Sequence, residues 1–180
     1  MTNTPSILAI VGSASRSSSN LALIQHLQRN NPHWQFTIRE DLSVLPHFDP
    51  EQTMATPPKE VTALRTAIEA ASGVLISTPE YIFSIPARLK NMLEWCVATT
   101  VFSQKPLGII TASANGSKGH AELQLIMQTL DARFTSETCL LVHGIKGKIN
   151  EDGVVTDPDL KENLENFSLA FDALLPGMNL

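Results

Sequence analysis

The feature that most constrains this chain is a repeated unit. A short apolar run is followed by a loop of small residues, and then by apolar residues at helical spacing. The runs are Ile7–Val11 (ILAIV), Val74–Thr78 (VLIST), Pro106–Thr111 (PLGIIT) and Thr138–Val142 (TCLLV). Such runs suit strands buried on both faces, and these belong to parallel sheets covered by helices. Trp34–Ile38 alternates and predicts a further strand. Leu21, Ile24 and Leu27 predict a helix ended by Asn30-Asn31-Pro32. Val61, Leu64 and Ile68 predict another over Lys59–Ala71, with Gly73 as its C-terminal glycine. Three more helices are expected: Ala87–Thr99, opened near Pro86; His120–Ala132; and Pro158–Leu174, capped by Asp157. Asp41–Pro58, with four prolines, reads as a surface connection, and Gly144–Asp157 as a turn or short hairpin. Strands alternating with helices predict an α/β protein. Right-handed crossovers and five strands predict a flavodoxin-like three-layer sandwich with a parallel sheet of order 2-1-3-4-5. The length of 180 residues suits one domain over 1–180.

Charge and composition exclude several classes. Lys and Arg number 13 against 18 Asp and Glu, a net charge of -5 with no basic run, so no nucleic-acid partner is expected. No apolar run approaches the roughly 20 residues of a membrane span. The N-terminus lacks the parts of a signal peptide, and Cys96 and Cys139 do not make a disulfide framework. The expectation is a cytoplasmic protein. Cys96 should pack beside Trp95, and Cys139 lies in a core strand. The five histidines show no metal-ligand spacing, so no metal is expected. His120 reads as an exposed first-turn residue, and Lys90 and Glu94 as a solvent-facing pair.

In sheet order 2-1-3-4-5, ligands bind beyond the carboxyl ends of the strands near the first and third. The loops after strands one, three and four should therefore meet. Loop one, Gly12–Asn20 (GSASRSSSN), leads into a helix N-terminus. Its free amides, the hydroxyls of Ser13, Ser15, Ser18 and Ser19, the Asn20 amide and Arg16 suit a phosphate monoester. The same residues also make a plain serine-rich turn with Ser18 or Ser19 as helix cap. Loop two, Thr78–Pro86 (TPEYIFSIP), is stiffened by Pro79 and Pro86 and holds the chain's single tyrosine, Tyr81. It suits a clamp for a flat heterocycle, or an ordered turn packing Tyr81, Ile82 and Phe83 on a partner subunit. Loop three, Ala112–Gly119, includes Ser113, Asn115 and Gly116, and its small residues permit close approach of a ligand or simply precede a helix.

These residues resemble the NADPH-dependent FMN reductases, a flavodoxin-like family that includes quinone, azo-dye and chromate reductases. The resemblance spans nearly the whole chain and is sharpest over Thr78–Trp95, against a pattern close to TPEYNxSxPGxLKNAIDW. Thr78, Pro79, Glu80, Tyr81, Ser84, Pro86, Leu89, Lys90, Asn91 and Trp95 match. Ile82 stands where Asn is usual, and Ala87 where Gly is usual. Loop one looks like the family's GSxRxxSxN phosphate loop through Gly12, Ser13, Ser18 and Asn20, with Ser15 in place of Arg and Arg16 one position later. Loop three looks like the flavin-edge loop without its Gly-Gly pair.

The resemblance implies an oxidoreductase with noncovalent FMN. Its phosphate would lie on Ser13, Ser15, Arg16, Ser18, Ser19 and Asn20. Its ring would lie against Pro79, Glu80, Tyr81, Ile82, Ser113, Asn115 and Gly116. NADPH or NADH would reduce it, and a small acceptor (flavin, quinone, azo dye or metal oxyanion) would reoxidise it. No side chain is expected to be catalytic, because the cofactor carries the chemistry. Glu80 is expected to be solvated or to cap a helix rather than act as an acid. Apolar residues around Phe83, Ile85, Leu89, Met92 and Trp95 exceed what one core face needs. With the family's habits they imply a homodimer or homotetramer. Two other readings share the fold. One is an electron carrier without NAD(P)H activity, which usually has a TxTGxT-type loop and a more acidic surface. The other is a non-catalytic ligand-binding protein that has lost the flavin.

Overall fold

The computed structural model describes residues 4–15 and 17–177. The strands are β1 (Ser6–Val11), β2 (Gln35–Arg39), β3 (Gly73–Thr78), β4 (Leu107–Ser113) and β5 (Cys139–His143). The helices are α1 (Ser19–Asn30), α2 (Pro50–Met54), α3 (Lys59–Ala70), α4 (Ala87–Glu94), α5 (Ser117–Thr129) and α6 (Pro158–Asp172). All pairings are parallel and the order is β2-β1-β3-β4-β5, as the alternation of elements predicts.

The strands' two-residue period assigns each core residue to a layer. Leu8, Ile10, Val74, Ile76, Leu107 and Ile109 face α3, α4 and α5. Ile7, Ala9, Val11, Leu75, Ile110 and Ala112 face α1 and α6. The edge strand β2 exposes Gln35 and Thr37, which explains why only that strand alternates in sequence. Asp157 caps α6, its carboxylate accepting from the Leu160 amide at 2.8 Å. Residues 144–157 form a short 3-10 turn and an antiparallel bridge between Ile149 and Val155.

Several expectations change. Gly73 is the first residue of β3 rather than a helix C-cap, because the 71–72 link is extended. A Cβ there would lie 2.7 Å from Leu175 and 2.8 Å from Phe171, so the glycine admits α6 to the sheet. Segment 41–58 is not purely surface. Leu42 and Leu45 are buried, and residues 50–54 form α2, capped by Asp49. Asn91 and Trp95 fasten this segment: the Asn91 and Trp95 side chains donate to the Pro46 carbonyl, and Asn91 Oδ1 accepts from the Phe48 amide at 2.7 Å. α4 ends at Glu94, where Cys96 and Val97 bond back to Leu93 and Glu94 in tighter turns. β4 runs two residues further than Thr111, and α5 starts at Ser117, so loop three shrinks to three residues. Ile85, Leu89, Met92 and Trp95 are consumed by the chain's own core, leaving Phe83 as the exposed member of that apolar set.

Candidate functional site

Three βα loops and the start of the segment after β5 wall a cavity of about 460 Å³ at the carboxyl end of the sheet. That is within the roughly 300–1,000 Å³ of small-ligand sites. Loop one and the first turn of α1 contribute Ser13, Ser15, Ser17, Ser18, Ser19 and Asn20. Loop two contributes Pro79, Glu80 and Tyr81, and the end of β4 with the start of loop three contributes Ala112, Ser113 and Ala114. Of the expected residues, Ile82, Asn115 and Gly116 lie off the cavity wall, and Arg16 lies outside the described residues. Gly144, Ile145 and Lys146 also line the cavity. Sequence reasoning missed them because an irregular turn carries no period to place it. The signal available was its position directly after the last strand.

The described residues of loop one make few bonds to the rest of the fold. Gly12 donates to the Ser77 carbonyl at 2.8 Å, and a Cβ on Gly12 would fall 2.5 Å from Thr78 Oγ1. Beyond Gly12, the described loop bonds mainly to itself: the Ser15 amide to Ser13 Oγ, and Ser15 Oγ to the Ser17 carbonyl. Ser18 is the N-cap of α1, accepting from Leu21 N, while the Ser19 and Asn20 amides have no acceptor among the described residues. The Asn20 side chain is buried and bridges strands. It accepts from Ser77 Oγ at 3.1 Å and donates to the Ala112 carbonyl at 3.1 Å.

Loop two is held rigidly. Tyr81 and Ser84 exchange both backbone hydrogen bonds, closing a two-residue turn with Ile82 at φ +50° and Phe83 at φ +60°. Both central residues are left-handed, where Asn and Gly are favoured and a β-branched residue is strained. Ile82 is 94% exposed and Phe83 74%. Two carboxylates hold this turn against α5. Glu80 accepts from the Gly119 amide at 2.8 Å and the Gly116 amide at 3.3 Å, and so caps α5 from another loop. Glu122 on α5 accepts in return from Ser84 Oγ at 2.6 Å and the Ile85 amide at 3.1 Å. Glu80 is thus a helix cap. Gly116, at φ +95°, opens the helix in a conformation suited to glycine.

His120 is buried, not an exposed first-turn residue. Its Nδ1 lies 2.8 Å from Thr111 Oγ1, because α5 begins three residues before it. Burial first, and then His143, lower its pKa from 6.5. Lys90 and Glu94 pair at 2.8 Å. Burial pushes the thiols of Cys96 and Cys139 up to about 12, which keeps both protonated at neutral pH. No group of three or more potential metal ligands occurs among the described residues. A second cavity of about 310 Å³ lies between α1 and α6. Its buried Asp172 is already satisfied by Trp34 Nε1 at 2.6 Å and His33 Nε2 at 3.0 Å, which reads as a structural cluster.

A parallel sheet of this order, with a small-ligand cavity at its switch point, defines a flavodoxin-like protein. The model of the NADPH-dependent FMN reductase family matches residues 5–145, and the chain belongs to that family. It is 36% identical over 163 residues to the NADH:(hydroxy)cinnamate reductase subunit CrdA of Vibrio ruber, covering 83% of this chain and 77% of that one. It is 28% identical over 165 residues to an NAD(P)H-dependent FMN reductase of Pseudomonas aeruginosa, covering 88% and 89%. Among solved structures, the flavoenzyme NAD(P)H:(acceptor) oxidoreductase FerB of Paracoccus denitrificans superposes with a TM-score of 0.77 at 26% identity, covering 93% of this chain and 94% of that one.

Proposed function

We propose that this protein binds FMN in the 460 Å³ cavity and passes electrons from NADH or NADPH to a small acceptor. The acceptor class is a flavin, quinone, azo dye or metal oxyanion. The observation that carries the reading is one cavity joining a helix N-terminus, whose Ser19 and Asn20 amides have no acceptor among the described residues, to a rigid aromatic-bearing loop. When bound, FMN supplies the hydride and electron chemistry.

The chain's own residues bind and orient. The Ser19 and Asn20 amides and the Ser13, Ser15 and Ser18 hydroxyls hold the phosphate end, and Arg16 is assigned to it from its position in loop one of the sequence. The Glu80 amide, on the cavity wall, has no acceptor among the described residues, so it remains free to donate to the ring. Pro79, Tyr81 and Ser113 supply the wall against which it rests, and Asn115 and Gly116 fix the start of α5 behind it. The carboxylates of Glu80 and Glu122 keep loop two in place. No proton transfer by a side chain is required.

The exposed Ile82 and Phe83 support a homodimer or homotetramer with that turn at the interface. The two unpaired cysteines support a reducing cytoplasm, and no described helix is long and apolar enough to cross a membrane. Two cores flanking one sheet support a single domain over 1–180. The test is a visible spectrum of protein loaded with FMN and gel-filtered, followed by NADH and NADPH oxidation with quinone. Retained flavin with turnover is the expected result. Retained flavin without turnover leaves an electron carrier. No retained flavin leaves a non-catalytic binding protein.

A further inference from the structure

We infer that Lys146, from the segment after β5, is a binding residue for the terminal phosphate of the flavin nucleotide. This inference rests on the FMN reading proposed above. Lys146 is the one cationic side chain among the cavity's described lining residues. It is exposed and makes no ion pair with a described carboxylate. Its neighbour Lys148 differs: that ammonium is 3.0 Å from Asp157. The single carboxylate on the cavity wall, Glu80, is engaged by the amides of α5. Among its described lining residues, the cavity therefore holds one uncommitted positive charge and no uncommitted negative one.

The position of that charge selects the phosphate rather than the ring. Segment 144–155 belongs to the α1 and α6 layer, where Ile145 and Val155 join the core that contains Leu23 and Ile24. Gly153 backs directly onto Ala22 of α1, where an added Cβ would stand 3.4 Å from the alanine's. Lys146 lines the same cavity as Ser17, Ser18 and Ser19 at the start of α1. There the unpaired Ser19 and Asn20 amides and the helix dipole already favour an anion. Loop two lies toward the opposite layer, tied to α5. The turn that presents Lys146 is itself fixed. Gly144 N donates to the Ala114 carbonyl, and Gly147 and Lys148 bond back to Gly144 and Ile145.

The test compares FMN with riboflavin, which has the same ring but no phosphate. Protein stripped of flavin is titrated by flavin fluorescence quenching at two salt concentrations. Lys146→Gln should weaken FMN about tenfold, the scale of a charge-assisted hydrogen bond. It should leave riboflavin affinity and the thermal melt unchanged. Part of the salt dependence of FMN binding should go with it. Lys146→Arg should restore FMN affinity, and Lys118→Gln, off the cavity wall, should bind FMN as the parent does. Unchanged FMN affinity in Lys146→Gln, or equal losses for both flavins, overturns the assignment. A parent protein that binds neither flavin overturns the FMN reading itself, and this assignment with it.

Discussion

Loop one and loop two follow strands that neighbour each other in the sheet, yet they are held in opposite ways. Past Gly12, the described part of loop one bonds mainly to its own serines and borders two cavities, the 460 Å³ one and another lined also by Glu40, Asp41 and Arg88. Loop two is closed on itself and then fixed to α5 by two carboxylates. The proposed FMN reading accounts for the difference. A loop that wraps an anion keeps its donors unpaired until the anion arrives. A loop that supports a flat ring gains by being fixed beforehand, since an ordered site loses less entropy on binding. The left-handed Ile82 and Phe83 persist because the carboxylate contacts over-determine the turn.

Removing the carboxylate that holds loop two should break this contrast most. Glu80→Ala uncaps α5 and should cost about 2 kcal/mol, combining a lost cap with stranded amides. Urea denaturation measures that loss, and flavin affinity should fall with it. An unchanged urea midpoint would show that loop two does not depend on this contact.

Relieving the strain should sharpen the contrast. Ile82→Asn places a residue tolerant of positive φ at φ +50° and should stabilise the protein by about 1 kcal/mol. The urea midpoint should rise at constant slope.

A smaller effect lies in pH. The folded pKa of His120 lies below 6.5, so between those values the unfolded chain binds more protons than the folded one. Stability is therefore lost as pH falls from 6.5 toward the folded pKa. His120→Gln should flatten that acid limb, leaving the share of His26, whose pKa burial also lowers. Parallel stability-against-pH curves for parent and variant would refute this.

Loop one should respond least in stability. Ser15→Ala removes a hydroxyl bonded only within the exposed loop and should change stability by less than about 0.5 kcal/mol. Its effect should appear instead as weaker FMN retention on gel filtration.

Much of the fold was legible because buried parallel strands write themselves as apolar runs, and the helices between them write a 3.6-residue period. The β1, β3, β4 and β5 runs and the Leu21, Ile24 and Leu27 face needed nothing else. The three site loops were legible for the same reason: sheet order places them together. The start of α5 was not. Its cap is Glu80, thirty-six residues from Gly116, and no local Ser, Asp or Thr at the N-cap marks the helix end. The burial of His120 follows from that shifted start.

The sequence by itself determined the strands, most of the helices and the small-residue composition of the first three loops, because those depend on patterns within a few residues of each other, and the alternation of elements then favoured one strand order. Only the tertiary structure decided which donors are still unpaired, which carboxylates are already engaged, and that Gly144, Ile145 and Lys146 complete the wall. Those are properties of distances between segments far apart in the chain, and no short-range pattern encodes them.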